Sequence, residues 1–265
     1  MKYSKDIKHI TNIPQKEIEI FLCNILNINR VALHKDINSP CSCEDQLKIF
    51  VDKRATGYPL EYIINCVEFY GEKFFVDDRV LIARPETELL VKQCLKILKS
   101  IKNPKLLEIG CGSGVISIIL SKYIKDIEIT ATDISSSAIE VSKINAKKHN
   151  IKNISFVQSD LLSDIKRKDF DIIVSNPPYI QDDIKLDKPV TYEPNIALYG
   201  GKNGDEMLKK IVKIFYQTDA VWLVCEIGYD QKESLSRYFK QFSIKCIEFY
   251  KDYAQLDRGF VLEKR

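Results

Sequence analysis

Apolar positions in the first quarter of the chain recur at helical spacing. After Pro14, the residues Ile18, Phe21, Leu22, Ile25 and Leu26 fall at i, i+3, i+4 intervals, and a second stretch runs through Leu47, Ile49, Phe50 and Val51 to a stop at Gly57. Both predict short amphipathic helices, with proline at a first helical position and glycine at an end. Helices this short cannot bury an apolar face singly, so residues 1 to about 60 are expected to form a small bundle. At Glu61 the pattern changes. Tyr62, Ile63, Ile64, Val67, Phe69, Tyr70, Phe74, Phe75 and Val76 are aromatic or β-branched, punctuated by Gly71 and by Asp77-Asp78. They predict strand and hairpin as far as Ala83. Arg84-Pro85-Glu86-Thr87-Glu88 then opens a helix, proline first and carboxylates in the first turn, where the helix dipole favours them.

From Lys105 onward, short apolar runs alternate with helical stretches. LLEI (106–109), IEITAT (127–132), ISFVQ (154–158), FDIIVS (170–175) and AVWLVCEI (220–227) read as strands. Helices are expected from Gly114 to about Lys122, from Ser135 to about His149, through Met207, Leu208, Ile211, Val212 and Phe215, and from Tyr229 to about Phe239. SIKCIEFY and GFVLEK at the end read as two further strands. Continuous apolar strands between helices imply an α/β fold, its mostly parallel sheet covered on both faces.

Composition narrows the function classes. Forty basic residues against 37 acidic ones leave a formal net charge of +3, a poor match to a protein that lives on nucleic-acid phosphates. The opening MKYSKDIKHI has no apolar core of a secretory signal, and no apolar run reaches membrane-spanning length, so a cytoplasmic protein with reduced thiols is expected. Of the eight cysteines only Cys41 and Cys43 are close together. There is no C-x-x-C, and His9, His34 and His149 have no ligand spacing, so no metal is expected. Cys94 and Cys225 sit in apolar runs, where cysteine acts as a small hydrophobe.

The chemistry concentrates at four strand ends. LEIGCGSG (107–114) follows the first strand of the sheet and opens a helix; Gly110, Gly112 and Gly114 let the backbone turn tightly and approach a ligand. The dinucleotide fingerprint G-x-G-x-x-G would need its third glycine at Val115, and here it comes one residue early. Together with Glu108, this spacing suits a cationic ligand with an uncharged ribose better than a pyrophosphate. Asp133, ending the next strand, can accept two hydrogen bonds from a ribose diol. Ser159-Asp160-Leu161, after ISFVQ, stands where an adenine ring and its amine could be read.

Asn176-Pro177-Pro178-Tyr179 follows FDIIVS directly and carries the most. Two prolines hold the backbone extended and remove its donors, so the Pro177 carbonyl and the Asn176 side-chain oxygen can point at one spot. A planar NH2 group offers two N–H donors to match. Its lone pair is delocalised, so the task is aiming it at a methyl sulfonium and stabilising the charge that grows on nitrogen. Alignment of this kind can supply roughly 7–11 kcal/mol. Tyr179 is expected to stack on or wall the planar group.

With these motifs the chain resembles the protein-(glutamine) N5-methyltransferases of peptide chain release factors, the HemK/PrmC type, from about residue 20 onward. The resemblance includes EFYGEKFFVDDRVLIARPETE (68–88), YEPNIALYGGKNG (192–204), EIGYDQ (226–231) and, more weakly, KDYAQLDRG (251–259). It implies a class I, Rossmann-like S-adenosylmethionine-dependent methyltransferase domain with a small N-terminal helical bundle and a β-hairpin linker. The corresponding ranges are 1–62 for a substrate-docking domain, 63–83 for the linker and 84–265 for the catalytic domain. By resemblance Gly110, Cys111, Gly112, Ser113, Gly114, Asp133, Asp160, Leu161 and Asn176 contact the cofactor. Asn176, Pro177, Pro178 and Tyr179 hold the substrate, the glutamine of the Gly-Gly-Gln loop of release factors, with Asn176, Pro177 and Tyr179 catalytic. A monomer with no direct nucleic-acid or membrane partner is expected. Ala83, where the family usually has proline, Asn65, where glycine is common, and Cys111, in a small-residue slot, depart from the pattern.

Three other readings compete. The proline motif is shared with enzymes that methylate the amino groups of adenine or cytosine in nucleic acid, but these need base extrusion and a basic recognition region. A nicotinamide oxidoreductase is disfavoured by the glycine spacing. A non-catalytic partner with this fold is disfavoured by the intact acceptor motif.

Overall fold

The computed structural model describes residues 13–35 and 43–265. The start of the expected bundle, His9 and Cys41 lie outside the described residues. The chain divides into two compact units, one of Met1–Cys66 with Leu186–Tyr192, the other of Val67–Lys185 with Glu193–Arg265.

In the first unit the described helices are α1 (Gln15–Leu26), α2 (Arg30–Lys35), α3 (Glu44–Ala55) and α4 (Leu60–Ile64). Ile18, Phe21, Leu22, Leu33, Leu47 and Phe50 form its core, with the Phe21 and Phe50 rings stacked at 4.3 Å. Ile49, at helical spacing in the sequence, is 56% exposed and contributes nothing to that core. The expectation of a strand from Glu61 fails here. Pro59 precedes a helical turn, and Asn65, in left-handed backbone at φ 49°, ends it with its N–H on the Glu61 carbonyl. Asparagine tolerates that conformation, which accounts for its standing in a glycine position.

The second unit opens with an antiparallel hairpin of β1 (Val67–Phe69) and β2 (Glu72–Phe74). Tyr70 and Gly71 turn it with φ of 54° and 74°, as a two-residue hairpin loop demands. The strand does not continue to Ala83. The Phe75 N–H and carbonyl, which a ladder would use, are bound by the Asn145 side chain at 2.7 and 2.9 Å. From there the chain runs without strand pairing through a turn closed by the Val80 N–H on the Asp77 carbonyl at 3.2 Å, with Val76, Val80 and Ile82 buried. Pro85 lies in a turn just ahead of α5 (Thr87–Leu98), which starts two residues later than its proline suggests.

The remaining elements alternate: β3 (Lys105–Ile109), α6 (Val115–Tyr123), β4 (Glu128–Asp133), α7 (Ser136–Lys148), β5 (Ile154–Gln158), β6 (Ile172–Ser175), β7 (Ile180–Gln181), β8 (Tyr199–Gly201), α8 (Glu206–Phe215), β9 (Trp222–Glu226), α9 (Lys232–Phe239), β10 (Ile244–Lys251) and β11 (Asp257–Lys264). A seven-stranded sheet has the order β10-β11-β9-β6-β3-β4-β5. β9, β6, β3, β4 and β5 run parallel, while β11 is antiparallel to both β9 and β10. β3, β6 and β9 are apolar and almost wholly buried, as strands covered on both faces must be. From β3 the chain steps outward through β4 and β5, then returns to β6 on the other side. The order therefore reverses between β3 and β6, and ligands of open parallel sheets bind beyond the strand ends at such a point.

Candidate active site

A cavity of about 360 Å³ opens at that point, lined by the ends of β3, β4, β5 and β6 and by the segment before α5. Its lining includes Gly110, Cys111, Gly112, Ser113, Asp133, Asp160, Leu161, Asn176, Pro177 and Pro178. Gly114 lies just behind, at the mouth of α6. The register explains the meeting of loop and proline motif: Ile109 pairs with Ser175, and the Ser175 hydroxyl donates to the Ile109 carbonyl at 2.7 Å. The chain then leaves both strands at the same level.

The glycine loop is built on left-handed backbone. Gly112 has φ 52° with no protein atom within 4 Å of where a Cβ would stand, so its face is open to the cavity. Gly114, at φ 80°, has no such room; a Cβ there would come within 3.1–3.3 Å of Ser142 on α7. Cys111 is buried behind the loop with its thiol 3.4 Å from the Ser142 hydroxyl, and burial pushes that thiol well up.

Two carboxyls flank the loop. Asp133 Oδ2 accepts from the Gly112 N–H and Oδ1 from the Ser135 N–H, both at 2.9 Å. Burial raises its pKa, against these backbone donors. Each oxygen keeps a lone pair for a further donor. Glu108 is 1% exposed and Oε2 is held by the backbone and hydroxyl of Ser117, while Oε1 is buried and has no hydrogen-bond partner among the described residues. Burial pushes Glu108 up to about 8. Ser159 anchors its own loop by accepting from the Asp164 N–H at 3.1 Å, and exposed Asp160 and half-buried Leu161 face the cavity beside it.

At the proline motif, Asn176 Nδ2 donates to Thr87 Oγ1 at 3.1 Å. Among the described residues no donor takes the Asn176 side-chain oxygen or the Pro177 carbonyl. Tyr179 departs from expectation, for it does not line the cavity. Its ring packs on the core of the sheet and its hydroxyl donates to Glu226 Oε1 at 3.2 Å. The reason is Glu226 itself, a carboxyl 1% exposed at the end of β9, which needs buried donors. Thr87 supplies the other, at 2.8 Å to Oε2.

Thr87 and Glu226 thus belong to the site, and reading the sequence assigned neither a role. The available signal was a carboxylate inside an otherwise apolar run, VCEI. Arg84 and Glu193 were missed in the same way. Buried Glu193 accepts from the Ile82 N–H at 3.0 Å and pairs with Arg84, tying the segment before α5 to the residues after 192.

Over 264 residues the chain is 36% identical to the release factor glutamine methyltransferase of Buchnera aphidicola subsp. Schizaphis graminum, covering 97% of this chain and 94% of that one. The chain belongs to the release factor glutamine methyltransferase family. Its relative of the same name in Coxiella burnetii is 32% identical over 265 residues, with 98% and 96% covered. Residues 85–193 match the family model of the methyltransferase small domain. Among solved structures, the ribosomal protein L11 methylase of Lactobacillus delbrueckii subsp. bulgaricus superposes with a TM-score of 0.51 at 21% identity, over 72% of this chain and 84% of that one. That likeness shows the class I methyltransferase fold.

The residues of this methyltransferase fit S-adenosylmethionine. The cavity is of the size that encloses a cofactor, the loop at Gly112 leaves room for close approach, and Asp133 has acceptors to spare for a diol. The partnerless Glu108 oxygen gives the wall behind the loop a carboxyl that a cationic ligand would draw toward ionisation.

Proposed function

We propose that the chain methylates the side-chain amide nitrogen of the glutamine in the Gly-Gly-Gln loop of peptide chain release factors. One observation carries this reading: the register of β3 with β6 brings the glycine loop and the Asn176-Pro177 acceptors to one cavity. Gly110 to Gly114, Asp133, Asp160 and Leu161 hold the cofactor in the sense given above. Bound there, S-adenosylmethionine supplies an electrophilic methyl group on a sulfonium centre.

The chain's own residues aim the nitrogen. The Asn176 oxygen and the Pro177 carbonyl accept the two N–H bonds of the glutamine amide and turn its lone pair toward the methyl carbon. As positive charge grows on nitrogen, both hydrogen bonds strengthen, which lowers the barrier where it matters. The proton then lost from nitrogen goes to solvent. Tyr179 serves from behind, by holding Glu226. The helical domain over 1–62 docks another part of the release factor, with 63–83 as the linker. The protein acts as a cytoplasmic monomer and needs no nucleic acid. Among the described residues no helix is long and apolar enough to cross a membrane.

Replacing Asn176 tests this directly. Asn176→Ala is expected to leave cofactor affinity nearly intact and to slow single-turnover transfer by about 10²–10³-fold, the scale of one lost transition-state partner. Transfer at the unmodified rate would remove Asn176 from the chemistry.

A further inference from the structure

Asn176 and Thr87 in the cavity lining join Glu226 and Tyr179 behind it in one hydrogen-bonded chain: Asn176 Nδ2 to Thr87 Oγ1 at 3.1 Å, Thr87 Oγ1 to Glu226 Oε2 at 2.8 Å, and the Tyr179 hydroxyl to Glu226 Oε1 at 3.2 Å. We propose that Thr87 and Glu226 are positioning residues that fix which edge of the Asn176 carboxamide faces the substrate. The inference rests on the reading of Asn176 as an acceptor for the target NH2.

A threonine hydroxyl has a single proton to give, and an ionised carboxylate can only accept. With its proton committed to Glu226, Thr87 can only accept from Asn176. The carboxamide must therefore turn its NH2 toward Thr87 and its oxygen away from it. A flip of that amide would cost almost nothing in shape, since oxygen and NH2 are nearly the same size. It would set NH2 against the NH2 of the substrate, two donors with no acceptor between them. Shape does not choose the productive orientation; the polarity of the chain does, and that polarity starts at a carboxylate two bonds away. Both positioning residues are buried, Thr87 at 2% and Glu226 at 1% exposure, so water does not compete for these bonds.

Glu226 is faced by the hydroxyls of Thr87 and Tyr179, by Arg258 and Glu86, and by Tyr250. Burial pushes it up to about 7, against the two hydroxyl donors and Arg258 and with a smaller push from Glu86. A protonated Glu226 has a proton of its own to give Thr87, which frees Thr87 to donate to the Asn176 oxygen. Transfer should therefore rise as pH climbs through about 7 and level off above it.

The test compares Thr87→Val, Thr87→Ser, Glu226→Gln and Asn176→Ala by three readouts: single-turnover transfer across pH at saturating cofactor, calorimetric affinity for S-adenosylmethionine, and NMR hydrogen exchange of the Asn176 side-chain NH2 in cofactor-free protein. Thr87→Val and Glu226→Gln should slow transfer about 10–100-fold with cofactor affinity held, and Thr87→Ser should recover most of the rate. Thr87→Val should also speed exchange of the Asn176 protons, and Glu226→Gln should flatten the rise near pH 7. If Glu226→Gln does not fold, the Thr87 pair and the pH profile of the unmodified protein decide alone. Thr87→Val at full rate while Asn176→Ala is slow would overturn the positioning role and spare the acceptor reading. Full rates for Thr87→Val and Asn176→Ala together would overturn both.

Discussion

Asp133 has two tasks for one carboxylate. It pins the glycine loop through the Gly112 N–H and the start of α7 through the Ser135 N–H, and it retains lone pairs for a ribose. Hydrogen bonds to a charged group are worth about 1.5–3 kcal/mol each, so Asp133→Ala should weaken cofactor affinity by at least roughly tenfold in calorimetry. Unchanged affinity would place the ribose elsewhere. Gly112, Asp133 and Asn176 stood out in the sequence by their own chemistry, and all three line one cavity. Tyr179 was misread because its ring suggested a wall for the substrate, whereas burial of Glu226 from a strand far along the chain claims its hydroxyl. A partner 47 residues away leaves no trace in local pattern.

At the scale of elements, the proline motif is held from below by β8. A Cβ at Gly200 would stand 2.4 Å from the Gly204 carbonyl oxygen, 2.5 Å from the Pro178 carbonyl oxygen and 2.9 Å from Tyr179 Cα, all backbone atoms with no side-chain freedom to yield. Gly200→Ala should therefore shift the motif, costing about 1–3 kcal/mol of stability and slowing transfer. A melting temperature and rate equal to the unmodified protein would show that the loop has slack. The buried strands were plain in the sequence because continuous apolar runs between helices have few other uses. Residues 61–64 and 75–83 were misjudged for a physical reason. Aromatic and β-branched side chains mark burial, and burial here is met by a short helix and by an irregular segment whose Phe75 backbone is satisfied by Asn145.

At the scale of the whole molecule, the alternation of strands and helices announces an α/β sheet, but strand order is a property of long-range pairing. β3 and β6 are neighbours with β4 and β5 between them in sequence, and that single adjacency creates the site. The terminal hairpin of β10 and β11, antiparallel at the edge, adds to the sheet without entering the cavity. Family membership rests on the whole chain and the aiming of the amide on one corner of it, so the most direct measurement joins the two. The full-length protein is incubated with a purified release factor and S-adenosylmethionine carrying a labelled methyl group, and the modified residue is mapped by mass spectrometry. One methyl group is expected, on the side-chain amide of the glutamine in the Gly-Gly-Gln loop, arriving far more slowly with Asn176→Ala; label on another residue, or none on the release factor, would overturn the assignment.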